Sequence, residues 1–283
     1  MRIASNLPLI ILLAAISCSK HSPQSSSLVK PHIDDKGYTT PQQYSGYTSL
    51  WKDEFEGNAV DPGSWSFETG RGGNGWGNNE LQYYTDKNAS VEQGYLIITA
   101  KKENVADANY SSTRMITKGK KNFLFGRIDI RAKLPEGQGI WPALWMLGAN
   151  IDSVGWPACG EIDIMELVGH EPSKVYGTMH WGPHYTKHRS KGYWNILANG
   201  KYSDEFHVYS LIWKTDELKV LVDDKEFFAF TAADAAPDEY PFNAPHYLIF
   251  NVAVGGNWPG PPDSSTKFPQ QMIVDYVRVF KPQ

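Results

Sequence analysis

The chain is poor in cysteine, with 2 in 283 residues, which excludes a disulfide-stapled scaffold. Cys18 falls in an N-terminal leader, so Cys159 has no partner within the chain and is expected to pack as a small apolar group. No basic stripe is present. The 27 Lys and Arg and 31 Asp and Glu are mixed along the chain, for a formal net charge of −4, which argues against a nucleic-acid partner. The apolar run from Leu7 to Ile16 is too short to cross a bilayer. No repeat of fixed period is visible, which removes solenoids and propellers.

Aromatic residues, by contrast, are abundant: 10 Trp, 15 Tyr and 12 Phe, more than a core alone needs, and a stacking site is their natural use. Arg2, the apolar run and the small residues before Cys18 read as a secretory signal. Ala15-Ile16-Ser17-Cys18 resembles a bacterial lipobox, in which Cys18 is lipidated; otherwise the leader is simply cleaved. The expected organisation is a lipoprotein-type signal peptide over 1–18, a flexible Ser/Lys/Pro-rich tether over 19–46, and one domain over 47–283. Strands are predicted over Phe125–Leu134, Phe206–Trp213, Tyr247–Val254 and Met272–Phe280, with a hairpin over Glu217–Phe230. Only Thr231–Asp238 reads as a helical turn. Many short strands with turn signals imply two packed antiparallel sheets.

The decisive segment is Gly160-Glu161-Ile162-Asp163-Ile164-Met165-Glu166. Alternation along a strand puts Glu161 and Asp163 on one face. Glu166 would face the other way unless a β-bulge near Ile164-Met165 returns it. A carboxylate row on one strand face is costly unless that face is wet or functional, and paired carboxylates are the chemistry of glycosidic bond cleavage. An ordinary amphipathic strand with a solvated face is the plainer alternative. Trp141, Trp145 and Trp156 close by argue against it, because sugar rings offer a face for indoles to stack on.

Trp156 to Glu166 resembles the active-site strand of glycoside hydrolase family 16, in the bulged E-x-D-x-x-E form of its laminarinase (endo-1,3-β-glucanase) branch. Gly75–Thr85, Gly139–Leu147, Asn251–Gly260 and Val274–Phe280 are similar to the same branch, in the same order. The resemblance implies an all-β jelly-roll sandwich with an open substrate cleft on the concave face. It makes Glu161 the nucleophile and Glu166 the acid/base, with Asp163 between them. Trp141 and Trp145 become cleft walls, and Asn79 and Arg114 hydrogen-bond donors to sugar. His180 is placed in the cleft near Glu166. Trp156 and Trp258 are further candidates for substrate contact, each with a purely structural alternative. His180, His184 and His188 are spaced by four, but Gly182-Pro183 makes a helical zinc site a poor reading.

The implied activity is retaining, internal cleavage of β-1,3-glucan, and also of mixed β-1,3-1,4-glucan, by an exported monomer anchored through Cys18. No cofactor is required for catalysis. A structural calcium ion would take the Glu56 and Gly94 carbonyls and the Asp275 carboxylate. Agarose or carrageenan cleavage, transglycosylation, and non-catalytic glucan binding are the alternatives.

Overall fold

The computed structural model describes Met1 and residues 32–283. The leader, Cys18 and the first part of the expected tether lie outside the described residues. The unit Asp34–Gln283 is an all-β sandwich of two large antiparallel sheets, as the strand and turn pattern implied.

One sheet has seven strands, ordered Arg189–Ile196, Lys174–Trp181, Glu161–Glu166, Ile140–Gly148, His246–Val254, Arg114–Ile116 and Ser66–Glu68. The other has eight, among them Gly126–Lys133, His207–Lys214, Tyr95–Ala100 and the long closing strand Gln270–Pro282. The closing strand pairs with Gly126–Lys133 on one side and Tyr95–Ala100 on the other. Chain order and spatial order therefore differ, as in a jelly roll.

Alternating residues of the two inner faces meet in the core. Leu96, Ile98, Ile128, Ile130 and Val277 come from the eight-stranded sheet. Leu144, Met146, Ile162, Met179 and Phe250 come from the seven-stranded one. The outer face of the seven-stranded sheet carries a smaller cluster of Ile116, Leu147, Cys159, Tyr247 and Ile249, against which Trp145 and Ile151 pack. Cys159 is free and fully buried there, the apolar role expected of it.

The predicted strands and the Glu217–Phe230 hairpin are present within a few residues of the expected bounds. The helical turn near Thr231 is Ala232–Ala235, opened by a reciprocal bond between Thr231 and Asp234. A second short helix, Ile151–Val154, was not anticipated, because four residues carry no readable periodicity.

The tether is shorter than expected, for residues 34–46 belong to the folded unit. Gly37 bridges Phe206 in parallel, Arg131 bonds Asp35 and the Tyr38 carbonyl, and Tyr44 Oη donates to Asp129 Oδ2 at 2.7 Å. Polar composition suggested a free segment. Its polar groups instead satisfy arginines and an aspartate that the sheet surface would leave exposed.

Candidate active site

The strand Glu161–Glu166 holds the carboxylates, and its register contains the bulge. Asp163 pairs with Trp145, whereas the next paired residue, Met165, pairs with Leu144, so Ile164 is the extra residue. Ile164 and Met165 are both buried in the core, each contributing about 1.5–3 kcal/mol of apolar burial. Two successive inward side chains turn Glu166 back to the face of Glu161 and Asp163. The row is therefore imposed by the core beneath it.

A cleft of about 620 Å³ opens over this face. Glu161, Asp163, Glu166, His180 and Arg114 line it, with Trp141, Trp145, Trp156 and Trp258 as aromatic walls. Each carboxylate is individually held. Trp156 Nε1 donates to Glu161 Oε2 at 2.9 Å, and Trp141 Nε1 donates to Glu166 Oε1 at 3.0 Å. His180 lies opposite Glu161 on the neighbouring strand, its Nε2 3.1 Å from Asp163 Oδ2 and 3.6 Å from Glu161 Oε1. It therefore serves the Glu161 end of the row rather than the Glu166 end that the sequence suggested. Its Nδ1 lies 2.7 Å from His188 Nε2.

The electrostatics separate the two glutamates. Burial, and then the charge of Asp163, push Glu161 up to about 7. The same two causes push Glu166 well above the usual carboxylate range. Burial opposes the His180 imidazolium, but the charges of Glu161 and Asp163 outweigh it and push His180 up to about 10.

Carboxylates with separated proton affinities, walled by indoles in an open cleft, are the equipment of a glycosidase. The sequence profile of the glycosyl hydrolases of family 16 matches residues 77–278. The chain belongs to glycosyl hydrolase family 16. It is 40% identical to the β-glucanase of Rhodothermus marinus over 82% of this chain and 84% of that protein. It is 40% identical to glucan endo-1,3-β-glucosidase A1 of Niallia circulans over 90% of this chain, but spans only 41% of that protein. Among solved structures, the laminarinase catalytic domain of Thermotoga petrophila is similar at 47% identity and TM-score 0.80, covering 84% of this chain and 98% of that one.

Within this family 16 site most of the expected residues converge. Asn79 does not join them. The loop Gly75–Asn79 coils through left-handed backbone at Trp76, Gly77 and Asn79, which sends Asn78 into the cleft and Asn79 away from it. Asn79 Nδ2 instead donates to Asn257 Oδ1 at 2.8 Å. Glu80 is a buried acceptor for Asn78, Gln82 and Tyr84.

Three contributors escaped the sequence reading. Trp76 and Trp145 sandwich the Arg114 guanidinium, each ring centroid 4.7 Å away, and Arg114 Nε donates to Glu68. Asn251 Oδ1 accepts from Trp145 Nε1 at 2.7 Å and so fixes that wall. Trp76 and Asn251 stood inside quoted motifs and were readable in principle. The sequence marks His188 only by its spacing of four from His184 and eight from His180.

Glu161, Asp163 and His180 place ligand-type atoms within 4.8 Å of one another. His180 faces both acids through the same nitrogen, Nε2, which is the arrangement of a charged hydrogen-bond donor between carboxylates. At the calcium positions, Asp275 Oδ2 accepts from Arg131 Nη1 at 2.8 Å, leaving one carboxylate oxygen for an ion.

Proposed function

We propose that this family 16 hydrolase is a retaining endo-1,3-β-glucanase of the laminarinase type, with mixed β-1,3-1,4-glucan as a second substrate. The supporting observation is the bulged row of Glu161, Asp163 and Glu166 beneath tryptophan walls. Similarity to a laminarinase catalytic domain across nearly all of that domain supports the substrate class.

In this reading the higher proton affinity makes Glu166 the acid and leaves Glu161 as the nucleophile. Glu166 protonates the leaving oxygen while the Glu161 carboxylate attacks the anomeric carbon and forms a glycosyl ester. Trp156 and the charged His180, itself oriented by Asp163, hold Glu161 in place. Glu166, having given its proton to the leaving oxygen, is then a carboxylate. With the Glu161 charge gone it stays ionised until it takes a proton from the incoming water, whose oxygen attacks the anomeric carbon as Glu161 departs. Trp141, through its bond to Glu166, keeps that carboxyl aimed at the bond being cut. Neither step calls for a cofactor.

Export through the leader, lipid anchoring at Cys18 and a monomeric state belong to the same proposal. So does a structural calcium shared by the Glu56 and Gly94 carbonyls and the second oxygen of Asp275.

The test is reducing-end release from laminarin, mixed-linkage glucan, agarose and κ-carrageenan, with Glu161→Gln as the control. Laminarin cleavage that is lost in the variant is the expected result. Cleavage of agarose or carrageenan alone would overturn the substrate. Glucan binding without any cleavage would make this a recognition protein.

A further inference from the structure

The cleft face carries a transverse row of register partners, and Glu166 divides it. One way it runs through Ala143 and Asn251 to Arg114, the half walled by Trp145 and Trp76. The other way it runs through Tyr176 to Trp194. Trp194 stands on Arg189–Ile196, the outermost strand of the sheet, with 44% of its surface exposed. Tyr193 stacks on that indole, with centroids 4.6 Å apart and planes 12° from parallel. The two half-exposed rings form one aromatic patch, which is costly on an edge strand unless a ligand covers what is left open.

This half is connected to the cleft. Trp258, a cleft wall, meets Tyr176 edge-on at 5.0 Å between centroids. Lys174 Nζ lies 4.7 Å from the Tyr176 centroid and 5.2 Å from that of Trp194, bracing the two rings. The Lys174 charge is itself met, for Glu171 Oε2 lies 3.5 Å away and also accepts from Tyr176 Oη at 2.8 Å. With that charge met, the aromatic faces suit a neutral sugar rather than a sulfated one. Adjacent strands are about 4.8 Å apart, a step close to one pyranosyl unit.

We propose that Tyr176 and Trp194 form a stacking platform for the leaving-group side of a neutral glucan, with a pyranose ring on Trp194 two sugar units beyond the cut bond. This rests on Glu166 being the acid that protonates the leaving oxygen. The platform also holds an acceptor sugar. The acceptor hydroxyl then attacks the anomeric carbon of the glycosyl ester, Glu166 takes the hydroxyl proton, and Glu161 departs as its carboxylate. The net result is a longer glucan in place of hydrolysis.

The experiment compares the wild type, Trp194→Ala and Trp194→Phe on reducing-end-labelled laminarihexaose and on an aryl laminaribioside, whose leaving group ends before Trp194. In Trp194→Ala the ratio of kcat/KM for hexaose over aryl glycoside falls about tenfold, equivalent to about 1.4 kcal/mol. Labelled products of two or more sugars lose their predominance, and transfer products decline at high substrate. Trp194→Phe, which keeps a stacking face, retains most of the ratio. A ratio within twofold of wild type in Trp194→Ala, with hexaose still cleaved, would overturn the platform alone. A wild type that cleaves neither substrate would overturn the β-1,3-glucanase reading, and the platform with it.

Discussion

His188 Nε2 and His180 Nδ1 are 2.7 Å apart, with ring planes 15° from parallel and centroids 5.0 Å apart, so the bond runs edge to edge. An imidazolium donates from both nitrogens. Asp163 and Glu161 face His180 Nε2, Glu166 adds its charge from the same strand, and the His188 nitrogen is left to accept from Nδ1. His188 is kept neutral for this, pushed down by partial burial and by the charge of His180, while Trp156 packs on its ring at 4.6 Å. His188→Phe preserves the packing and removes the acceptor. The His180 titration midpoint, read by NMR, should fall from about 10. His180→Gln removes a cation that lowers both glutamates, so the acid limb of kcat/KM should move upward from about 7. A lower Tm with an unmoved midpoint and an unmoved limb would leave the pair a structural role only.

Glu161 carries a stability cost that pH should reveal. Its pKa is raised from 4.5 to about 7, by burial first and by Asp163 second. The folded state thus binds this proton more tightly than the unfolded state. The associated stability is full below pH 4.5 and lost as pH rises through about 7. A shift of this size is on the order of 3 kcal/mol. Glu161→Gln should therefore melt roughly 5–10 °C above wild type at pH 8, with the gain shrinking toward zero near pH 4. Equal melting temperatures at pH 8 would show that the site accommodates the charge without cost.

Much of this site was legible because strand alternation is local. The spacing of Glu161, Asp163 and Glu166 demanded a bulge, and the bulge is there because Ile164 and Met165 both find core. Asn79 was misplaced because its direction depends on successive left-handed residues in a glycine-rich loop, which no periodicity reports. The Arg114 sandwich joins Trp76 and Trp145 from distant parts of the chain. His188 reaches His180 only because the chain reverses at Gly182-Pro183 into the turn Tyr185–Lys187. Contacts of that kind are set by topology, and a strand pattern is silent on them.

Arg114 offers a test of wall against charge. Its planar guanidinium fills the slot between Trp76 and Trp145 and bonds Glu68, so it orders both indoles at once. Lysine keeps the charge and loses the plane and the fork. Arg114→Lys should raise KM for laminarin about tenfold, corresponding to about 1.4 kcal/mol, with a much smaller change in kcat. A lowered Tm with unchanged KM would make Arg114 a brace of the sheet and nothing more.

The segment 34–46 separates a linker from a structural strap. Arg131, 1% exposed, bonds Asp35, the Tyr38 carbonyl and Asp275. Arg278 donates to the Thr40 carbonyl at 3.0 Å, and the Thr40 amide donates to Tyr276 Oη at 2.9 Å. Tyr44 bonds the fully buried Asp129 and lies under the Arg127 guanidinium at 4.3 Å. Removing the strap lets water reach these groups, so the cost is lost packing and bonds rather than stranded charges, about 3–5 kcal/mol in all. Chains beginning at residue 34 and at residue 47 should then differ in Tm by about 6–15 °C, the longer one being the more stable. Tyr44→Phe, which removes one bond to Asp129, should cost about 1–3 kcal/mol alone. Equal stability of the two truncated chains would return residues 34–46 to the status of a tether.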